Sequence, residues 1–159
     1  DKAKGFITKA FTIIFLASIV IWFLQTFDIR FNVVADQSQS MLAVLGGLIA
    51  PLLAPLGFGD WRTSTGLVCG LVAKESVIST LTVLLGSTST AVLSGMFTPP
   101  IAYVFLVFVL LYPPCVAAIS TVRSELGGRY AAAVFALQIG VAWIVAFLFH
   151  SAFMLAGLI

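Results

Sequence analysis

Residues 110–125 read LLYPPCVAAISTVRSE, and this stretch decides the fold because it places two adjacent prolines, Pro113 and Pro114, inside apolar sequence. The apolar segment around it, residues 99–122, is long enough for a helix to cross a hydrocarbon core of about 30 Å. A proline has no backbone N–H and disrupts a helix interior. The stretch therefore predicts a membrane helix that is broken at its prolines.

The composition of the whole chain indicates that lipid is its main solvent. Of 159 residues, 61% are hydrophobic and 9% are charged, whereas soluble domains carry about 25% charged residues. A soluble domain of this size cannot bury so much apolar surface, because its surface-to-volume ratio is too high. The net charge of +2 is too small to indicate a nucleic-acid partner. Membrane lipid is therefore the expected surrounding.

Apolar segments separated by polar turns predict an all-α, polytopic transmembrane helix bundle. The second segment is short and carries Pro51 and Pro55, so a kinked span and a re-entrant helix are both open. Most basic residues fall on one side if every segment crosses, which favours five crossings with that side in the cytoplasm. The predicted segments are residues 6–27, 41–57, 66–85, 99–122 and 130–157.

The two prolines free backbone oxygens that a cation can use. Helical hydrogen bonds run from residue i to residue i−4, so the carbonyls of Val109 and Leu110 lose their usual donors. Cys115 follows the break and Ser120 lies further along. Thiolate ligands select softer metals, including iron, over Mg²⁺ or Ca²⁺. The residues alone leave two interpretations open: an ion pathway, or a proline kink beside an inert cysteine.

A second set of polar residues lies within the third apolar segment, at the sequence AKES. A charge at the bilayer centre costs at least about 2.5 kcal/mol, so both Lys74 and Glu75 need partners or a function. We expect Glu75 to line a pathway with Ser76 and Ser79, on one face of a continuous helix. Lys74 points elsewhere, and we expect it to pair with a neighbouring helix. The alternative is that both charges only hold the bundle together.

The remaining candidate side chains favour packing roles. Cys69 and Cys115 lie far apart in sequence in apolar segments, so a disulfide is not expected. Gly66 and Gly70 flank Cys69 in a GxxxG pattern, which is typical of close helix packing. His150 is the only histidine, and a metal site needs several converging ligands, so we interpret it as a hydrogen-bonded packing residue.

Three stretches together resemble the C-terminal membrane region of the FeoB family of bacterial ferrous iron transporters. They are KGFITKAFTIIFLASIVIWFL, IAPLLAPLGFGDWRTSTGLVCGLVAKESVISTL and LLYPPCVAAISTVRSELG. The AKE sequence in its apolar setting is one of the two most specific parts of the resemblance. The other is the Y-x-P-C-x-A pattern, formed here by Tyr112, Pro114, Cys115 and Ala117.

The resemblance implies a function and a set of partners. Family members are inner-membrane proteins that move Fe²⁺ into the bacterial cytoplasm, with a GTP-binding domain and two Gate regions that each carry a proline–cysteine motif. This chain is similar to the second Gate, so the GTPase and the first Gate would lie elsewhere in the same protein. Cys115 and Glu75 become candidate metal ligands for the transported Fe(II). A homo-oligomer is possible, and neither a permanently bound cofactor nor an enzymatic activity of this chain is expected.

Two other functions remain as alternatives to iron transport. One is a Gate-type carrier for nucleosides or another solute, which would need aromatic and amide groups around a ring. The fourth apolar segment offers only Tyr103 and Tyr112 for that purpose. The other alternative is a structural membrane segment without any pathway.

Overall fold

The computed structural model describes residues 2–72, 74, 76–84 and 97–159. The regular elements in these ranges are helical, which confirms the predicted all-α class. Short 3-10 turns at Gln37–Gln39 and Ala54–Leu56 flank the second helix. The α-helices are α1 (Lys2–Thr26), α2 (Met41–Leu53), α3 (Trp61–Gly70), α4 (Ser76–Leu84), α5 (Pro99–Leu111), α6 (Val116–Leu126) and α7 (Gly128–Leu155).

The predicted break at the two prolines is confirmed. Helix α5 makes its last regular bond from the N–H of Tyr112 to the carbonyl of Phe108, at 2.8 Å. The next two residues are prolines and cannot continue the pattern. The chain runs extended to Cys115, which caps the start of α6 with φ −56° and ψ 157°. The fourth apolar segment is therefore two half-helices joined by an extended linker.

The third apolar segment is also broken, so the prediction of one continuous helix over residues 66–85 is wrong. Helix α3 starts earlier, where the side chain of Asp60 accepts a hydrogen bond from the N–H of Arg62 at 3.4 Å. It ends at Gly70, and α4 begins only at Ser76. The helical face drawn through residues 69–82 on a continuous helix therefore does not exist as predicted. At Leu71 the chain leaves the helix, and the Leu71 carbonyl accepts a hydrogen bond from the distant N–H of Val116 at 2.8 Å.

Residues 41–57 form one arm of a bent helix pair. Ser40 starts α2 by accepting a hydrogen bond from the N–H of Ala43 at 3.1 Å. The helix tightens into the Ala54–Leu56 turn and ends at Gly57, whose φ of 88° suits a residue without a Cβ. Helix α3 then leaves at 103° to it. This pair is a broken span or a re-entrant loop. The sequence leaves these two alternatives open for residues 41–57 alone, whereas the pair also includes the predicted polar turn and the start of the third segment.

Two stretches in the described residues are long and apolar enough to cross a membrane. They are Pro99–Leu126, which contains the break between α5 and α6, and Gly128–Leu155, each of 28 residues. The bent pair of α2 and α3 would make a third. Helix α1 adds the shorter apolar helix Phe11–Thr26. The arrangement with five crossings stays a prediction.

The core lies where α5 packs along α7 and against the end of α2. Phe58 places its ring edge against Phe105 and Phe108, with centroids 5.4 and 5.7 Å apart. Ala142 and Ala146 are fully buried, and such small residues let membrane helices approach closely. This packing fixes α5, and with it the position of the break.

Helix α7 is tied to α2 by a half-buried tryptophan. The indole N–H of Trp143 donates to the carbonyl of Leu52 at 3.0 Å, and its ring stacks on Phe147. The carbonyl of Leu52 lies where α2 changes to a 3-10 turn, so its regular helical bonding is interrupted. Trp143 therefore packs between α7 and α2 and also donates a hydrogen bond that joins the two helices.

Candidate functional site between two helix breaks

The breaks in the third and fourth segments meet in space. The N–H of Val116 donates to the carbonyl of Leu71 at 2.8 Å, although a regular helix would direct it to the carbonyl of Tyr112. The carbonyl of Tyr112 thus joins those of Val109 and Leu110 as a third oxygen without a helical donor. One short segment therefore exposes three carbonyl oxygens at the α5 C-terminus.

The ammonium of Lys74 fills this group of oxygens. Its Nζ donates to the carbonyls of Tyr112 at 3.1 Å and of Val109 and Leu110 at 3.3 Å each. It also lies 5.0 Å from the centroid of the Tyr112 ring, a cation–π distance. The expected pairing of Lys74 with a neighbouring helix is confirmed. The sequence predicts that the carbonyls of Val109 and Leu110 can bind a cation. In the structure the ammonium of Lys74 is the cation that binds them.

Cys115 lies at the other end of the same linker. It is half-buried, its thiol is free, and its carbonyl accepts hydrogen bonds from the N–H groups of Ala118 and Ile119 at 2.9 and 3.2 Å. The linker therefore has two different groups at its ends. At the Tyr112 end the carbonyl oxygens bind the Lys74 ammonium, and at the other end lies the free thiol of Cys115.

A cleft of about 290 Å³ with a mixed polar and apolar lining opens beside the break, between α1, α3 and α4. The thiol of Cys69 forms part of its wall and accepts a long hydrogen bond from the Gln25 amide at 3.9 Å. The Tyr112 hydroxyl lies directly against Gly70, the residue after Cys69, which places the cleft near the break. The lining residues are Ser18, Ile21, Trp22, Gln25, Cys69, Val72, Ser79, Thr80 and Val83.

Sequence reasoning missed the contribution of α1 to this cleft. Gln25 is a polar residue near the end of an otherwise apolar helix, and that was the available signal. The close packing predicted from Gly66 and Gly70 is confirmed. A Cβ on Gly66 would meet Leu81 at 3.3 Å, and one on Gly70 would overlap the Tyr112 hydroxyl and Val77. Cys69, only 2% exposed, therefore combines a packed position with a place on the cleft wall.

The other predicted site residues are scattered or not described. Ser79 lines the cleft and Ser120 is half-buried on α6. Glu75 lies outside the described residues, and Ser76 begins α4 without a described side chain. Within the described ranges, no group of three or more His, Cys, Asp or Glu side chains could hold a metal ion. The predicted pairing of Cys115 with Glu75 stays a prediction.

His150 has the packing position expected of it. A Cβ built on Gly57 would meet its Nε2 at 2.9 Å, so the imidazole lies directly against the turn between α2 and α3. This close approach and the positive φ of Gly57 both require glycine at the turn. The imidazole therefore fills space beside the bent pair.

The helical fold, the apolar spans and the two meeting breaks define an all-α membrane protein with interrupted helices. The chain belongs to the Gate family, described as nucleoside recognition, whose model matches residues 7–129. It is 36% identical to the Fe(2+) transporter FeoB of Staphylococcus aureus strain COL over 94% of this chain and 23% of that protein.

Other relatives carry the same name. The chain is 32% identical to the Fe(2+) transporter FeoB of Methanocaldococcus jannaschii, over 92% of this chain and 23% of that protein. It is 35% identical to that of Campylobacter jejuni, over 93% and 27%. The chain thus spans about a quarter of the length of these relatives. No solved structure matches.

Proposed function

We propose that this chain is the C-terminal membrane part of a ferrous iron uptake transporter in a bacterial inner membrane. The support is the similarity to Fe(2+) transporters along 94% of the chain, together with a free thiol at a helix break. The second observation carries the proposal, because a transport site near the membrane interior is typically built from discontinuous helices. Fe²⁺ is the transported substrate.

The proposed pathway passes the linker between α5 and α6. Cys115 supplies a thiolate, which binds Fe²⁺ better than it binds Mg²⁺ or Ca²⁺. Glu75 is the proposed second ligand, because it follows Lys74 directly in the sequence, and the Lys74 ammonium lies at the break. Hydroxyls then help to replace water around the ion as it moves. The proposed hydroxyl groups are those of Ser76, Ser79 and Ser120.

Any coupling of transport to GTP hydrolysis would lie in parts of the protein beyond this sequence. The relatives are about four times as long as the matched region. We assign a GTPase domain and a first Gate region to that additional length, on the family resemblance. The present chain then crosses the membrane several times and conducts the ion without an enzymatic step of its own. Assembly of the transporter as a homo-oligomer is compatible with this division.

A nucleoside carrier is the second candidate, because the family description names nucleoside recognition. Such a site needs an aromatic face that a base can stack on. The Tyr103 ring instead packs against Phe149 and Phe153, with centroids 5.8 and 5.9 Å apart. The Tyr112 ring packs on Phe108 and faces the Lys74 ammonium. Both rings already have partners, and the relatives named above are Fe(2+) transporters, so the observations favour the ion.

The first prediction tests Cys115 directly. We expect Cys115→Ser in the full-length transporter to lower Fe²⁺ uptake by about tenfold or more at equal expression, because a hydroxyl replaces a soft thiolate ligand. The control is Cys69→Ser, which alters the second thiol without touching the linker. Uptake of ⁵⁵Fe²⁺ into cells at equal membrane abundance measures both. Unchanged uptake in Cys115→Ser would remove the ligand role of Cys115.

A further inference from the structure

We propose that Lys74 is a tethered cation that keeps diffusing ions away from the carbonyl oxygens of the broken segment. The ammonium takes the place of a free ion at three oxygens that the helix leaves open. It thereby makes the break selective, since it leaves the thiol side as the place where a cation can bind. This inference deepens the proposed transport function and rests on it.

Without Lys74, the three carbonyl oxygens would form a cation site. Each lacks its helical donor: Pro113 and Pro114 have no N–H, and the N–H of Val116 turns to Leu71. Oxygens of this kind in a membrane protein must find another partner or water. Groups of backbone carbonyls coordinate alkali cations such as K⁺ in selective channels.

Lys74 donates hydrogen bonds to all three carbonyl oxygens at once. An ammonium has three donors, and the three Nζ–oxygen distances lie between 3.1 and 3.3 Å. The Tyr112 ring face covers the ammonium at 5.0 Å. A second cation near the same oxygens would meet a like charge at close range. Lysine therefore both occupies and electrostatically protects this position.

The ammonium of Lys74 also affects which cations the break can bind. Carbonyl oxygens are hard ligands and bind the abundant alkali cations, whereas a thiolate prefers softer metals. A transporter that exposed both at one break would offer a route to the commoner ions. Covering the oxygens with a lysine leaves sulfur as the exposed ligand. Selection for Fe²⁺ over K⁺ then follows from one side chain.

The test removes the charge and measures an ion that the wild-type protein should exclude. The full-length protein is placed in liposomes, and uptake of Tl⁺, a probe for K⁺, is followed beside uptake of Fe²⁺. We expect Tl⁺ uptake above that of empty liposomes in Lys74→Met and none in the wild type. Lys74→Arg keeps a cation and should remain closed to Tl⁺. Arg30→Met, which removes a cation from the loop after α1, is the matched control.

The outcomes separate this inference from the proposed function. A gain of Tl⁺ uptake in Lys74→Met supports the role of Lys74 even where the wild type moves no Fe²⁺, a result that would count against iron transport alone. If Lys74→Met does not fold, Lys74→Gln takes its place. Folded neutral variants that stay closed to Tl⁺ would overturn the inference. So would loss of fold in both neutral variants with Lys74→Arg intact, because the ammonium would then act only on stability.

Discussion

A single side chain explains how two adjacent prolines are tolerated in an apolar helix. An unpartnered carbonyl in lipid costs several kcal/mol, and a lone lysine costs at least about 2.5 kcal/mol. Lys74 and the three carbonyls at the break compensate each other, because every oxygen receives a donor and the charge receives three acceptors. Neither the prolines nor the lysine would be stable there alone.

Two neighbouring glycines of α2 give a prediction with an internal control. A Cβ on Gly46 would overlap the Thr65 hydroxyl and lie 2.8 Å from the carbonyl oxygen of Trp61, whereas one on Gly47 would meet nothing within 4 Å. We expect Gly46→Ala to destabilise the fold by about 1–3 kcal/mol through overpacking. Gly47→Ala should be neutral or stabilising by up to about 1 kcal/mol, because alanine favours a helix.

The two glycine variants are compared by unfolding in detergent micelles. A clear loss of stability in Gly46→Ala beside an unchanged or more stable Gly47→Ala would support the close contact of α2 with α3. Equal stability of the two variants would contradict that contact, and with it the angle at which α3 reaches the break.

At the scale of elements, the sequence predicts what depends on local chemistry. The two prolines predict the break between α5 and α6. The position of Cys115 at this break is also predictable, because it directly follows the prolines in the sequence. The break between α3 and α4 contains no proline, and it lies where the Leu71 carbonyl pairs with the distant N–H of Val116, a contact that local sequence does not predict. The cleft beside Cys69 was not predictable either, since it forms only when α1 docks against α3 and α4.

The loop after α1 has a predicted dependence on pH. The carboxylate of Asp28 accepts hydrogen bonds from the N–H groups of Asn32 and Arg30, at 3.0 and 2.7 Å. These bonds, the Asn32 one first, lower the pKa of Asp28 below its ordinary 3.8. A lowered pKa in the folded loop means that the stabilisation is present above pH 3.8 and is lost as the pH falls through the lowered value.

Hydrogen–deuterium exchange of the loop, corrected for intrinsic rates, measures this effect. We expect protection of the Arg30 and Asn32 amides to fall as the pH drops below the ordinary value for aspartate. In Asp28→Asn the protection should no longer follow this titration, because the amide does not ionise. A wild-type loop whose protection is independent of pH in that range would contradict the predicted role of Asp28.

At the scale of the whole molecule, two broken segments are held against each other by a lipid-facing frame. Helix α7 exposes large apolar side chains such as Leu137, Ile144 and Leu148, as a surface in contact with lipid does. The irregular backbone lies instead between helices, where other groups satisfy it. The continuous helix α7 thus contacts lipid, and the two helix breaks contact each other. Transporters whose sites lie at broken helices have a similar arrangement.

The central claim is that Fe²⁺ reaches Cys115 at the break between α5 and α6. Reaction of this thiol with a membrane-impermeant maleimide, in a full-length protein in which Cys115 is the one cysteine kept, tests it most directly. The account predicts labelling of Cys115 from the aqueous side, and protection by Fe²⁺ but not by Mg²⁺. A thiol that never reacts in a folded protein, or that reacts equally with and without Fe²⁺, would contradict the account.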